Sequence, residues 1–357
     1  MRKLVQAFLV IFIVSLALIL FVNHLNASQG YTGGNTLTVY NWGDYIDPDL
    51  ITQFEEETGI KVIYETFDSN EAMMTKIQQG GTSYDVAVPS EYAIEKMKED
   101  DLLQKIDQSK IPNLKNIDER FLDLPFDPGN EYSVPYFWGT VGIVFNPKLL
   151  GEREFHSWND LWADDLKNQI LLIDGAREAM GFALNSLNYS LNDTNVDHLQ
   201  EAKAKLQELQ PNIKAIVGDE IKMLIVNEEA PIGVVWSGDA ADMMWENDDL
   251  DYVVPEEGSN LWFDNFVIPK TARNVEGAHK FINFMLDAEI NAQNTDYVGY
   301  STPNKAAMAL LDEETIEDER FYPSSELTDR LEVYENLGKK MLSYYNDLYL
   351  EFKMHKK

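Results

Sequence analysis

The chain has 357 residues, of which 45% are apolar and 25% charged, and this composition can support two lobes that each have a core. Its 29 basic and 61 acidic residues give a formal net charge of −32, which argues against nucleic-acid binding because such proteins need basic faces. The chain contains no cysteine, so disulfides, thiolate metal sites, cysteine nucleophiles and a lipoprotein anchor on cysteine are excluded.

Residues 1–27 have the pattern of a targeting segment. Arg2 and Lys3 precede an apolar run over residues 7–22, and positive charge before such a run places the following chain outside the cytoplasmic membrane. The run is slightly long for a signal-peptide core and slightly short for a membrane span. We therefore expect either cleavage near Ala27 or retention as an uncleaved membrane anchor, with retention favoured, and residues 28–36 as a flexible tether.

The segment after the tether predicts alternating strands and helices. The predicted elements are strands over residues 37–40, 61–67 and 84–88, with helices that begin at Asp47 and at Ser69 or Asn70 and end at Gly59 and Gly80. This βαβαβ order predicts a parallel, doubly wound sheet, whose ligands bind beyond the carboxyl ends of the strands. Loops over residues 41–45 and 89–92 lie at that edge and carry aromatic side chains.

A second lobe is predicted after residues 126–136, which are rich in proline, glycine and aspartate. The predicted elements there are strands over residues 141–145, 169–173, 215–217 and 232–235, a helix that begins within residues 174–178, and a helix over residues 196–210. Aromatic and acidic residues again follow the strand ends. Helices over residues 275–286 and 289–295 come next, and the remainder of the chain is predicted to be mainly helical.

Residues 260–270 predict a strand that crosses back from the second lobe. Trp262 and Asp264 are two residues apart, so a strand places both side chains on one face. An aromatic face beside a carboxylate suits an organic ammonium, because the ring attracts the cation and the carboxylate pairs with it. The alternative for this stretch alone is an edge strand with an ordinary tryptophan and a solvated aspartate.

Sequence motifs of enzymes are absent. The chain lacks G-x-S-x-G, G-x-x-x-x-G-K-[ST], G-x-G-x-x-G and H-E-x-x-H, and its five histidines are scattered. Asp174 and Glu178 have the residue types of a glycosidase acid/base pair, but acids at this spacing are common at helix starts, where the macrodipole favours them. We therefore predict no catalysis, no cofactor and no metal site.

Several short segments follow one another in a specific order. They are YNWGDYI at residues 40–46, VPSEY at 88–92, FDP at 126–128, DGARE at 174–178, WFD at 262–264 and GYSTPN at 299–304. Together they make the chain, from about Leu37 onward, similar to the spermidine/putrescine-binding proteins of bacterial polyamine ABC importers. The resemblance implies an α/β periplasmic-binding-protein fold of type II, in which two lobes joined by hinge strands close on a ligand. We assign residues 37–138 and 265–308 to lobe 1, and residues 139–264 and 309–357 to lobe 2.

The resemblance also implies a ligand site. Its residues are Trp42, Tyr45, Ser90 and Tyr92 on one wall, with Glu178, Trp236, Trp262, Asp264 and Tyr300 forming the rest. The family usually has a second acid directly before its Ala-Arg-Glu motif, where this chain has Gly175. Asp174, Asp219 or Asp239 could replace that acid, and Asp174 ranks first. Gly43 and Tyr334 also depart from residues found in some members.

The resemblance thus predicts a monomeric extracytoplasmic receptor that captures spermidine or putrescine and delivers it to an ABC permease. Aromatic walls would hold the methylene groups, and carboxylates would pair with the amines. Two other functions stay open at this point: a receptor for another amine or a metal chelate, and a sensory ectodomain that signals through a membrane partner. The preference between spermidine and putrescine also stays open.

Overall fold

The computed structural model describes residues 35–355 and, near the N-terminus, residues 11, 12, 14–16 and 18. Most of the predicted targeting segment, residues 1–27, and most of the predicted tether therefore lie outside the described residues. Among the helices of the described part, none combines the length and the apolar character that crossing a membrane requires.

Nine strands of the described part form one sheet. They are β1 (Thr36–Trp42), β2 (Lys61–Phe67), β3 (Val86–Ala87), β4 (Ser133–Phe145), β5 (Ile170–Ile173), β6 (Ile213–Val217), β7 (Ile232–Trp236), β8 (Asp251–Val253) and β9 (Leu261–Val267). Their order is β2-β1-β3-β9-β4-β7-β5-β6, and β8 pairs with β4. Each half thus has three neighbouring strands outside a central pair formed by β9 and β4.

The two halves of the sheet share one pattern. Strands β2, β1 and β3 are parallel in one half, and β6, β5 and β7 are parallel in the other. The central strands β9 and β4 are antiparallel to each other and to the outer strands that they meet. This arrangement confirms the predicted two-lobe α/β fold, in which each lobe has its own parallel strands.

Helices connect these strands and cover the sheet. They are α1 (Pro48–Thr58), α2 (Asn70–Gln79), α3 (Glu91–Glu99), α4 (Ala176–Ser186), α5 (Val196–Leu209), α6 (Glu220–Val226), α7 (Ser237–Glu246), α8 (Val275–Met285), α9 (Ala288–Val298), α10 (Lys305–Met308), α11 (Glu313–Ile316), α12 (Ser325–Thr328) and α13 (Gly338–Met354). Short 3₁₀ helices span Gln108–Lys110, Pro112–Asn116, Glu119–Phe121, Pro128–Asn130 and Trp158–Trp162. The last helix, α13, packs on α4 and α5.

The predicted ends of the first two helices are confirmed, because their capping chemistry is local. The Asp47 carboxylate accepts a hydrogen bond from the Asp49 N–H at the start of α1, and Ser69 accepts one from the Ala72 N–H at the start of α2. Gly59 and Gly80 end these helices with φ values of 70° and 66°. Glycine adopts this left-handed conformation without steric cost.

The central strands carry the chain between the lobes. Strand β4 has 13 residues, all buried, and pairs with β9 and β8 along one edge and with β7 along the other. Its register places Phe137 opposite Asp264, Gly139 opposite Trp262, and Val141 opposite Trp236. Two of the three lobe boundaries assigned from the sequence fall inside β4 and β9, the third falls at the end of α10, and all three remain a prediction.

Three sequence-based assignments were wrong in extent. Strand β3 covers only Val86–Ala87, although backbone bonds from Asp85 and Val88 to β1 extend the contact. Strand β1 continues through Trp42, into the predicted loop, because β2 pairs with it along its whole length. The C-terminal remainder is not mainly helical before residue 338, since it contains three four-residue helices and irregular chain.

The buried Asp85 ties lobe 1 together directly before β3. One of its oxygens accepts from the Thr38 N–H of β1 at 2.8 Å, and the other accepts from the Arg273 and Asn274 N–H groups at 2.8 Å each. The segment that contains Arg273 and Asn274 follows β9. A single carboxylate therefore fixes β1 and the end of the crossing strand relative to β3.

We expect Asp85→Ala to lower the free energy of unfolding by about 3 kcal/mol, because three backbone N–H groups lose a buried charged acceptor. Urea unfolding would show a lower midpoint with an unchanged slope. The exposed Asp164 supplies a control, since Asp164→Ala removes the same charge from the surface. Equal midpoints for the two variants would contradict the role of Asp85.

Candidate functional site

The carboxyl ends of β3 and β7 lie close to each other, where they contact the central strands β9 and β4. Ser90, three residues after β3, forms an isolated backbone bridge with Asp264 of β9. Trp236 ends β7 and lies opposite Val141 of β4, two residues from the position that faces Trp262. The sheet therefore brings residues predicted from separate parts of the sequence to one place.

Asp264 lies at the centre of this place, and its side chain is buried. Its Oδ2 accepts a hydrogen bond from Tyr45 Oη at 2.7 Å, and its Oδ1 accepts one from Ser90 Oγ at 2.7 Å. Burial raises the pKa of Asp264 to about 6, although these two hydrogen bonds oppose the shift. Among the described residues no lysine, arginine or histidine forms an ion pair with it. Asp264 thus has two hydroxyl donors but no cation.

Aromatic rings surround this carboxylate. The Trp262 and Tyr300 ring centroids are 5.2 Å apart, and those of Tyr45 and Tyr300 are 5.3 Å apart, both in edge-to-face geometry. The Tyr45 ring also lies 5.3 Å from that of Phe137, the residue opposite Asp264 on β4. The structure thus joins four predicted site residues, Tyr45, Trp262, Asp264 and Tyr300, into one cluster.

Two glycines leave the space that the Trp262 and Tyr300 rings occupy. A Cβ at Gly139 would lie 2.5 Å from the Trp262 ring, and a Cβ at Gly238 would lie 2.3 Å from the Tyr300 ring. Because such distances are far inside van der Waals contact, any side chain at either position would push the ring away. Both glycines are needed for close approach of ring and backbone.

Asp239 is the alternative acid that the structure brings to the cluster. Its Oδ1 accepts a hydrogen bond from Tyr300 Oη at 3.3 Å. Burial raises its pKa to about 6, while the charge of Lys222 opposes the shift. Asp239 therefore extends the chain of contacts that starts at Asp264.

Asp174, which ranked first from the sequence, is not brought to this cluster. Its carboxylate pairs with Lys353 of α13 at 2.7 Å and accepts a hydrogen bond from Tyr349 Oη at 2.8 Å. Burial acts to raise the pKa of this carboxyl group, but the hydrogen bonds from Lys353 and Tyr349 outweigh burial and lower the pKa of Asp174. Asp219 is exposed. Of the three alternatives, Asp239 alone has a hydrogen bond to a predicted site residue.

A second group includes Glu178, which lies in the first turn of α4. The Tyr92 and Tyr334 rings lie 6.5 Å apart, and the Arg177 guanidinium stacks over Tyr334 at 4.2 Å. Burial raises the pKa of Glu178, and its charge contributes, after burial, to the raised pKa of both tyrosines. The charge of this second carboxylate therefore acts on both tyrosines of the group.

Gly175 explains the position of Glu178. A Cβ at residue 175 would lie 2.0 Å from Glu178 Oε2, so the carboxylate occupies the space that a side chain there would need. Any side chain at this position would force Glu178 into another rotamer. The acid that the resemblance led us to expect before the Ala-Arg-Glu motif is incompatible with this arrangement of Glu178.

Trp42 and Trp236, the two other tryptophans of the predicted site, are half-buried at the ends of β1 and β7. Trp42 donates from Nε1 to the Val88 carbonyl at 2.9 Å, and its ring centroid lies 4.5 Å from that of Phe67. Trp236 precedes α7 as its N-cap residue. Their contribution to a ligand site remains a prediction.

Two buried residues of the site were not predicted from the sequence. Asn70 donates to Ser90 Oγ and to Tyr92 Oη at 3.0 Å each, and so connects the two groups. Glu91 accepts from the Phe263 N–H of β9 at 2.9 Å, and burial raises its pKa to about 8. In the sequence both looked like ordinary residues at helix starts, so no local signal marks them.

Glu91 is one of three hydrogen-bond acceptors along the edge of β9 that faces away from β4. The Leu261 N–H donates to the Glu332 carbonyl, the Phe263 N–H to the Glu91 carboxylate, and the Asn265 N–H to the Pro89 carbonyl. The other oxygen of Glu91, Oε1, has no hydrogen-bond partner in the described part of the chain. The strand that carries Trp262 and Asp264 is therefore held on both edges.

The described residues contain no cluster of histidine, aspartate and glutamate placed to hold a metal ion.

A family model described as bacterial extracellular solute-binding protein matches residues 49–322. The spermidine/putrescine-binding periplasmic proteins of Salmonella typhimurium and Escherichia coli are each 40% identical to this chain, over 316 and 320 residues. These alignments cover 88% and 89% of this chain, and 91% and 92% of the relatives.

Solved structures share the fold. A Listeria monocytogenes protein assigned to a spermidine/putrescine ABC transporter is 65% identical, with a TM-score of 0.86 over 90% of this chain and 100% of that one. The spermidine/putrescine ABC transporter substrate-binding protein of Streptococcus pneumoniae is 57% identical, with a TM-score of 0.83 over 90% of this chain and 100% of that one. The fold and the resemblance predicted from the sequence are confirmed.

The buried Asp264 makes stability depend on pH. Its pKa is about 6 in the folded state and about 4 in an unfolded chain, so the folded state binds the extra proton between these values. Stability from this group therefore rises as the pH falls from 7 to 5. We expect the native chain to gain about 1 kcal/mol over Asp264→Asn across that range, as measured by urea unfolding. An unchanged difference between the two proteins would contradict the assigned burial.

Proposed function

The chain belongs to the bacterial extracellular solute-binding proteins, and we propose that it captures a polyamine, spermidine or putrescine, between its lobes and delivers it to an ABC permease without catalysing a reaction. The observation that carries the proposal is Asp264, a buried carboxylate with two hydroxyl donors and no cation partner among the described residues. An ammonium supplies the missing charge and up to three N–H donors.

The rings beside Asp264 favour an organic cation over a metal ion. Trp262, Tyr45 and Tyr300 present apolar faces and edges around the carboxylate. Such rings contact methylene groups and attract ammonium through their quadrupoles. A hydrated metal ion would instead need several oxygen ligands at one point.

The second carboxylate suggests how a polyamine would be held. Glu178 lies in a group with Tyr92 and Tyr334, and Asn70 connects that group to Ser90, which donates to Asp264. A ligand with ammonium groups joined by methylenes would place one ammonium at each carboxylate. The tyrosines would line the path between them, as an apolar pocket with a few polar groups requires.

The proposed closure of the lobes follows from the distribution of these residues between the two lobes. By the assigned boundaries, Tyr45 and Ser90 belong to lobe 1, whereas Glu178 and Trp262 belong to lobe 2. A ligand that contacts both sets favours the conformation in which they lie close together, by as much as its affinity differs between the two conformations. A permease can distinguish the loaded receptor by that conformation.

The site of action is outside the cytoplasmic membrane, and residues 1–27 would hold the receptor there as an anchor. The charges Arg2 and Lys3 before the apolar run support this orientation. Fractionation of cells expressing the full chain tests the anchor: we expect it in the membrane fraction, whereas a chain in which a cleavable signal peptide replaces residues 1–27 would be soluble after secretion.

Loss of the central charge should weaken polyamine binding. We expect Asp264→Asn to raise the Kd for putrescine and spermidine at least tenfold, because the isosteric amide cannot pair with an ammonium. Isothermal titration calorimetry at pH 7.5 measures this. Asp174→Asn is the control, since it removes the same charge from the carboxylate that pairs with Lys353, and we expect less than a twofold change. An unchanged Kd for Asp264→Asn would remove the proposed site.

The aromatic contribution is tested at Trp262. Leucine keeps apolar contact but has no π-face, so Trp262→Leu should raise the Kd about fivefold or more. Trp245, whose side chain is 89% exposed, gives the matched control Trp245→Leu. Equal affinities of the two variants for putrescine would argue against stacking at Trp262.

A further inference from the structure

Lys222 places the chain's own ammonium beside the candidate site. It lies in the first turn of α6, and its Nζ is 3.2 Å from Asp242 Oδ2 and 3.9 Å from Asp239 Oδ1, both on α7. A cation in the first turn of a helix is disfavoured by the macrodipole, so the acids of α7 must stabilise it there. Asp44 and Asp219 add negative charge nearby.

The acid that Lys222 approaches is connected to Asp264. Asp239 accepts a hydrogen bond from Tyr300, the Tyr300 ring packs against Tyr45, and Tyr45 donates to Asp264. Asp239 and Asp264 thus lie at opposite ends of one pair of tyrosines. Asp264 has no cation partner in the described part of the chain, whereas Asp239 has the lysine.

An ordinary surface ion pair is the simpler interpretation of Lys222. It fits the contact with Asp242, whose side chain is 49% exposed. It does not fit Asp239, whose side chain is 17% exposed and whose hydroxyl donor is the Tyr300 of the aromatic cluster. A largely buried carboxylate needs compensation for lost hydration, and here an internal ammonium contributes it.

We propose that Lys222 is a specificity-determining residue, because its ammonium occupies the Asp239 end of the polyamine site. This inference rests on the proposed function. A diamine has an ammonium for Asp264 and one for Glu178, and needs no third carboxylate. A triamine has a further ammonium, which would find Asp239 already neutralised and would be repelled by Lys222. The lysine therefore disfavours triamines relative to diamines.

Removal of the lysine should change this preference. In Lys222→Met the stem is kept and the charge is lost, so Asp239 becomes a second buried carboxylate without a cation, like Asp264. We expect the affinity for spermidine to rise at least tenfold, while the affinity for putrescine changes less than threefold. Calorimetry with both ligands at one ionic strength measures the ratio of the two Kd values.

Two further variants separate local from general charge effects. Lys148→Met removes a lysine from the surface ion pair with Asp249, and we expect it to leave the ratio unchanged. The double variant Lys222→Met/Asp239→Asn should lose the gain for spermidine, because the third ammonium then has no carboxylate. Putrescine binding by each variant shows that it is folded.

The outcomes distinguish the inference from the proposed function. A native chain that binds neither polyamine would overturn the proposed function itself. A native chain that binds polyamines, with a Kd ratio that Lys222→Met leaves unchanged or alters no more than Lys148→Met does, would overturn the inference alone. Retention of the gain in the double variant would also overturn it, since Asp239 would not be the acceptor.

Discussion

The structure of the site depends on one unbalanced charge. The carboxylate of Asp264 is removed from water and receives only two hydroxyl hydrogen bonds, so its ionised form remains costly, as the raised pKa records. Aromatic rings and bare glycine backbone exclude other polar groups from its surroundings. The protein thus keeps a position in which a cation is favoured and in which none of the residues that the structure describes supplies one.

The pair of central strands explains why this charge lies between the lobes. Strand β9 carries Trp262 and Asp264, and β4 holds them in register with Gly139 and Phe137 while its other edge receives β7. Both lobes are therefore built on the strands that carry the candidate site. Under the proposed function, rotation of one lobe relative to the other passes through this pair, which would link ligand occupancy to lobe position.

Local chemistry made much of this arrangement predictable from the sequence. Capping residues fixed the limits of α1 and α2, and the two-residue spacing of Trp262 and Asp264 placed them on one face. Contacts between distant segments were not predictable. Asp239, rather than Asp174, meets Tyr300 because α7 and the residue after Gly299 come together in space, although they are 61 positions apart. The positions of Asp239 and Tyr300 in the sequence do not indicate that the two side chains are in contact.

The same limit applies to Glu91 and Lys222. Each lies at a helix start, where an acidic residue is ordinary and a lysine is merely unfavourable, and only the folded chain shows what they face. Glu91 has a consequence for association between molecules. An open edge on an apolar strand can template pairing with another chain, and the acceptors Glu332, Glu91 and Pro89 occupy that edge of β9. The strand that carries Trp262 and Asp264 is thereby protected from pairing with another chain.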